Sequence, residues 1–188
     1  MNISKVFEEY IEKEESYRIA YDIVRRNSKG KIWLIGGALS RNLNQLIYGT
    51  PQHSFDFDFI VEECVEKFDL PEDWKIGKNS YGGWKITNSE ISIDHIPLNL
   101  IDQNIRRKLR PTVENFLTGT PFTIQSMAYD TGSKEIFGEI GIAALKSRKF
   151  EVNDLEQARI TAKKRGMSVN ELISKKAKSM GFKAVLID

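Results

Sequence analysis

The chain has a single cysteine, Cys64, in 188 residues, which excludes an internal disulfide and a thiolate-based zinc site. Cys64 itself reads as a small, half-buried hydrophobe beside a strand. The only histidines are His53 and His95. Neither has a partner at the spacing of a metal motif, and both are expected to be partly exposed loop or strand residues. No apolar run approaches the roughly 20 residues of a membrane-spanning helix. The opening MNISKVFEEYIEKEESY is polar and acidic, unlike a signal or transit peptide, so the expected location is cytoplasmic, with no membrane contact. Repeats and low-complexity tracts are absent, and so is any large charge imbalance: the formal net charge is +2. Hydrophobic residues at 40% and charged residues at 29% are the usage of an ordinary globular protein, and this length suits about one domain with a small appendage.

Within that frame the informative stretch is IWLIGGALSR, Ile32 to Arg41, followed by SFDFDFIV, Ser54 to Val61. A strand from Lys31 to Ile35 enters the pair Gly36 and Gly37, and a helix is expected from about Ala38 to Ile47. Glycine lets backbone amides approach a ligand closely, and the first amides of a helix lack intrahelical partners and attract anions. The pattern is neither the P-loop nor the dinucleotide fingerprint, and a plain tight turn is the simpler alternative. In the second stretch, strand alternation sends Asp56 and Asp58 to one face and Phe55, Phe57 and Phe59 to the other. The carboxylates would start about 7 Å apart, able to lean in on one or two hard cations. An oxygen-only donor set favours magnesium or manganese over zinc. A solvent-facing amphipathic strand would explain the spacing equally, although aspartate is a poor strand former.

These residues together resemble the DNA polymerase β-type nucleotidyltransferases, and among them the head domain of the bacterial poly(A) polymerase and CCA-adding tRNA nucleotidyltransferase group. Gly36, Gly37, Asp56 and Asp58 match its motifs directly, and ISIDHIPL places Asp94 where the group carries a third metal-binding carboxylate. YGGWKIT, Tyr81 to Thr87, resembles the strand before it, PFTIQSMAYD, Pro121 to Asp130, resembles a later motif, and LEQARITAKKRGMSV, Leu155 to Val169, resembles a first neck helix. The resemblance covers about Lys31 to Val169. It implies an α+β fold: a small, mixed, mostly antiparallel sheet of the nucleotidyltransferase type flanked by helices, with a short C-terminal helical extension. Residues 1–150 would form the head-like domain and 151–188 the neck-like extension.

The implied activity is metal-dependent transfer of a nucleoside monophosphate from a nucleoside triphosphate to a hydroxyl on an RNA or tRNA 3′ end, a protein or a small molecule. Asp56, Asp58 and Asp94 would be the catalytic, metal-holding residues for Mg2+ or Mn2+, and Gly36, Gly37 and Arg41 would bind the nucleotide. The chain also departs from the group. Arg41 and Asn42 follow the glycine pair after three residues rather than two, Gly119, Thr120 and Pro121 stand where the group has Arg-Arg-Asp, and Gln125 and Ser126 replace Asn-Ala. A catalytically silent module that binds RNA or a protein partner is therefore the competing reading. As a free-standing head, the chain is expected not to perform complete CCA addition. Its partner could then be tRNA, a protein or small-molecule acceptor, or an antitoxin.

Charge and periodicity complete the sequence reading. From Ile142 onward there are eleven Lys and Arg against five Asp and Glu, so the C-terminal part is basic and the remainder acidic. Arg159, Lys163 and Lys164, with Lys146, Arg148, Lys149 and Arg165, are candidate phosphate contacts for a nucleic acid. The run Arg106, Arg107, Lys108 and Arg110 is a second such group, and no aromatics interleave either one to stack bases. One amphipathic helix is expected over about Ser4 to Arg26, ended by the Ser28 to Gly30 turn. Short antiparallel strands are expected over Pro71 to Leu98, a helix over Asn99 to Leu109 stopped by Pro111, and a hairpin pairing Met127–Tyr129 with Glu135–Phe137. Two final helices should span Asp154 to Arg165 and Val169 to Met180.

Overall fold

The computed structural model describes residues 2–50, 55–79 and 82–188. His53, Ser54 and Tyr81 lie outside them. The expected single N-terminal helix is two, α1 (Ile3–Ile11) and α2 (Glu15–Arg26). The reason is phase: Ile11 and Tyr17 are both buried, yet six residues along one continuous helix would set them about 120° apart around its axis. A break at Glu12 to Glu14 lets both reach the core. Phe7 then packs edge-on against Tyr129, while Tyr17 packs on Phe57 and Phe59.

Strand β1 (Ser28–Ile35) follows directly, then α3 (Gly36–Tyr48), β2 (Asp56–Cys64), β3 (Lys75–Lys78), β4 (Trp84–Thr87) and β5 (Ser92–Pro97). The helix expected from Asn99 is only a 3-10 turn and a short α4 (Asp102–Arg106). The intervening Ile101 is extended and buried, and the chain turns at Lys108 with φ +54°, so α4 ends well before Pro111. After α5 (Val113–Thr118) come β6 (Ala128–Asp130) and β7 (Glu135–Phe137), which pair as the expected hairpin. Its turn is fixed by Asp130, whose Oδ1 accepts the amides of Gly132 and Ser133. Then follow α6 (Glu139–Ser147), β8 (Lys149–Phe150), α7 (Leu155–Lys164), α8 (Val169–Met180) and β9 (Lys183–Ala184).

The main sheet has seven strands in the order β3-β4-β5-β2-β1-β6-β7, antiparallel throughout except for β2 and β5, which run parallel. Parallel neighbours need a crossover connection, and here the β3–β4 hairpin supplies it. The fold is thus mixed α+β, with a largely antiparallel sheet flanked by helices. One sheet face buries Phe57, Phe59, Val61, Leu34 and Ile93 under α1 and α2, in a cluster that also takes in Leu172, Ile173 and Ala177 of α8. The other face carries a smaller cluster of Trp33, Ile35, Ile60, Ile96 and Val113. Phe55 precedes β2 and is exposed, so only two of the three phenylalanines enter the core. Among the described residues no helix is long and apolar enough to cross a membrane.

His95 corrects the expectation of partial exposure. It is fully buried, because alternation along β5 turns it to the main core face when Asp94 faces the opposite way. Its Nε2 lies 2.9 Å from Ser28 Oγ, and Phe68 packs edge-on against the ring. Burial pushes its pKa down to about 4. Below about pH 6.5 the unfolded chain therefore takes up a proton that the folded chain refuses, and stability falls as pH drops from there toward 4. Chemical denaturation at pH 7 and pH 5 should show wild type losing about 2 kcal/mol more than His95→Leu; equal losses would contradict a neutral, buried imidazole.

Candidate nucleotide and metal site

The site is built on one cross-strand row. Asp58 of β2 is the register partner of Asp94 on β5 and of Ile35 on β1, and Asp94 is the partner of Lys85 on β4. Register partners share a face, so Lys85, Asp94, Asp58 and Ile35 stand side by side. Asp56 lies two residues earlier on the same face. The parallel β2–β5 pair is what brings the second and third carboxylates together across 36 residues of sequence.

Asp94 is buried, at 9% exposure, and held by two donors: Asn79 Nδ2 at 3.1 Å from Oδ1 and Lys85 Nζ at 3.4 Å from Oδ2. The same Lys85 Nζ lies 4.0 Å from Asp56 Oδ1, so one ammonium bridges two of the three carboxylates. Asp58 is raised well above the ordinary carboxyl range. Desolvation is the main cause, followed by the Asp94 carboxylate, which repels it and shares a hydrogen bond with it; Lys85 and Arg41 pull the other way. A carboxyl pair this close is poorly able to ionise twice without another cation.

The glycine pair has a side-chain role that the sequence did not reveal. Gly36 is in the left-handed region at φ +70°, and a Cβ there would collide with the Asp58 carboxylate. A Cβ on Gly37 would meet the Arg41 guanidinium. These glycines let an acid and a base lie directly on the N-terminus of α3, where unpaired amides favour negative charge. Burial pushes Arg41 down, and the Asp58 and Asp56 carboxylates partly restore it; it remains a cation within the site. Arg41 is thus more central than its shifted spacing suggested.

Beside Asp58 and Gly36 opens a cavity of about 160 Å³, room for several waters at roughly 30 Å³ each. Gln103, Gln125 and Gln157 line it, and Lys164, Arg165 and Lys176 form its basic side. Of the expected phosphate contacts, only Lys164 and Arg165 reach this cavity. Arg159 and Lys163 line a separate depression with Met167, because α7 turns them to a different face. Arg106, braced by Asp102 of its own helix, holds α4 to α7 through Glu156 and Gln157, all at 2.7–2.8 Å, and Arg148 bonds Gly181 O and covers Tyr48. Both thus have structural partners. Lys85, Asn79 and Lys176 were missed as site residues. For Lys85 the available signal was its place in the alternating WKIT strand; for Lys176 it was a lysine within an apolar helical stripe.

No family model matches the chain, and no curated protein matches it in sequence. Solved structures do. The chain is similar to the Thermotoga maritima CCA-adding enzyme complexed with tRNA, at TM-score 0.55 and 14% identity over 94% of this chain and 46% of that one. It is also similar to the Bacillus stearothermophilus CCA-adding enzyme in complex with CTP, at TM-score 0.53 and 17% identity over 86% and 40%. A tRNA-processing enzyme solved with CTP gives TM-score 0.51 and 13% identity over 81% and 39%. The likeness is one of fold. The chain spans less than half the length of each of these neighbours.

Magnesium or manganese can be tested against the residues present. Among the described residues no three His, Cys, Asp or Glu side chains converge, as they stand, into a cluster that would hold a metal ion. The donors nevertheless suit a hard cation: they are all oxygens, and an ammonium is already lodged between Asp56 and Asp94. Lys85 would have to withdraw for a divalent ion to take that place.

Proposed function

We propose that this protein is a nucleotidyltransferase that moves a nucleoside monophosphate from a nucleoside triphosphate to a hydroxyl acceptor, with RNA or tRNA as the favoured acceptor class and the cytoplasm as its place of work. The observation that carries this reading is the Asp58–Asp94 pair, aligned across parallel strands at the N-terminus of α3, with Asp56 joined to it through Lys85. The fold neighbours solved with CTP and with tRNA support the nucleotide and the acceptor class.

Asp56, Asp58 and Asp94 would hold Mg2+ or Mn2+, which when bound supplies charge neutralisation on the phosphates and acidifies the acceptor hydroxyl. Gly36, Gly37 and the first amides of α3 bind phosphate oxygens, and Arg41 neutralises their charge. Asp94 takes the proton of the acceptor hydroxyl as its oxygen bonds the α-phosphorus. The bond from that phosphorus to the bridging oxygen then breaks, and pyrophosphate leaves. Asn79 and Lys85 orient the Asp94 carboxylate for this role.

The test is transfer of label from each of the four α-labelled nucleoside triphosphates, with magnesium or manganese, into total RNA and cell lysate. The expected result is incorporation by wild type and none by the Asp56→Ala, Asp58→Ala protein. A silent RNA- or protein-binding module is the second reading, favoured by the ammonium seated among the carboxylates and by the uncharged Gly119, Thr120 and Pro121. Absence of incorporation from every nucleotide would make it the better one.

A further inference from the structure

The buried stripe of α8 runs Val169, Leu172, Ile173, Ala177 and Met180, and Lys176 falls within it at helical spacing, three residues after Ile173 and four after Leu172. An apolar side chain is the ordinary occupant of such a position. Lys176 instead faces the cavity beside Asp58, half-buried. Neither it nor Arg165 has a carboxylate within 4.0 Å among the described residues. Desolvation, then the like charges of Arg165, Arg41 and Lys175, push Lys176 down to about 8, with Asp58 opposing. A half-buried cation crowded by cations costs stability unless an anion joins it.

From this geometry we infer that Lys176 and Arg165 bind the β and γ phosphates of the nucleotide, and hold the pyrophosphate that leaves, across the cavity from Asp58 and the N-terminus of α3. The inference rests on the transferase reading for the identity of the anion. The two walls are fixed to one another: Asn44 of α3, fully buried, donates its Nδ2 to the carbonyl of Met180 at the end of α8, at 3.0 Å. The start of α8 is fixed by reciprocal bonds between Ser168 and Glu171, a capping box. Thr120 and Pro121 also line this cavity and bring no charge, so the cations on that side come from the end of α7 and from α8.

The test is equilibrium dialysis of labelled inorganic pyrophosphate against the full chain, in EDTA and in manganese. Lys176→Met and Arg165→Met should each weaken binding tenfold or more. Lys178→Met, which removes the same charge from the exposed face of α8, should change it less than twofold. Thermal melting checks folding, and Lys176→Met, which completes the apolar stripe, should melt no lower than wild type. Wild-type affinity in the Lys176→Met, Arg165→Met double variant, or no binding by wild type, would overturn the inference. Binding in EDTA needs no catalysis. Pyrophosphate binding that depends on Lys176, in a protein that transfers no label, would therefore sink the transferase reading and leave this site standing. Transfer that persists in the double variant with undiminished pyrophosphate affinity would sink the site alone.

Discussion

Asp58→Asn is expected to abolish nucleotidyl transfer, by a factor of about 10³ or more, while raising the melting temperature of the ligand-free protein at neutral pH. The activity loss follows from removing the β2 carboxylate that stands beside Asp94 at the site. The stability gain follows from the same carboxylate's surroundings. Desolvation and the Asp94 charge raise its pKa more than Lys85 and Arg41 lower it, so at neutral pH the folded chain carries a group that would rather be protonated. An asparagine keeps a donor toward Asp94 and removes the charge. The sign is set by linkage: a carboxyl whose folded pKa is raised contributes its full stability below its unfolded pKa, near 4, and loses it as pH rises through the folded value. Wild type and Asp58→Asn should therefore melt together near pH 4 and diverge as pH rises, with the variant on the order of 1–2 kcal/mol more stable at pH 8. A variant that melts lower than wild type at pH 8 would show that Arg41 and Lys85 outweigh burial.

Gly36→Ala should cost about 100-fold in transfer, the scale of misplacing a reacting group by roughly 1 Å. Two causes act together. The residue sits at φ +70°, where a side chain costs roughly 1–2 kcal/mol, and the new methyl would collide with the Asp58 carboxylate and push it from the Asp94 row. Gly37→Ala is the comparison, because its methyl meets the end of the flexible Arg41 side chain and leaves the Asp58–Asp94 row in place. It should raise KM more than it lowers kcat, as Arg41 moves off the phosphates, and melt close to wild type. Similar losses in both variants would mean that the glycines serve only the backbone path from strand to helix.

How much of this was legible beforehand differs from element to element. The β6–β7 hairpin, α7 and α8 follow from local pattern and turn chemistry, and the structure has them within a residue or so of their expected limits. The alternation of β2 placed Phe57 and Phe59 in the core and the two aspartates opposite. Local pattern failed where partners lay far away in sequence. The break between α1 and α2 contains no glycine or proline and exists because Ile11 and Tyr17 must both reach the core. His95 looked exposable, yet Ser28 and Phe68 close over it. Nothing in the local pattern around Arg106 showed that it meets Glu156, fifty residues later.

By itself, the sequence determined the two carboxylates of one strand, the glycine pair at a helix start and the basic character of the C-terminal helices, whereas Asp94 stood out only through the resemblance of its segment to a family motif. Each of the first three is a matter of residue type at short spacing, which backbone periodicity converts directly into a shared face. Only the tertiary structure decided that β5 runs parallel to β2 and so sets Asp94 beside Asp58, that Lys85 stands between the carboxylates, and that Lys176 rather than Arg159 or Lys163 faces the cavity. These depend on strand order and on how helices dock. Strand order and docking are fixed by burial of the whole core, so no local stretch of the chain carries them.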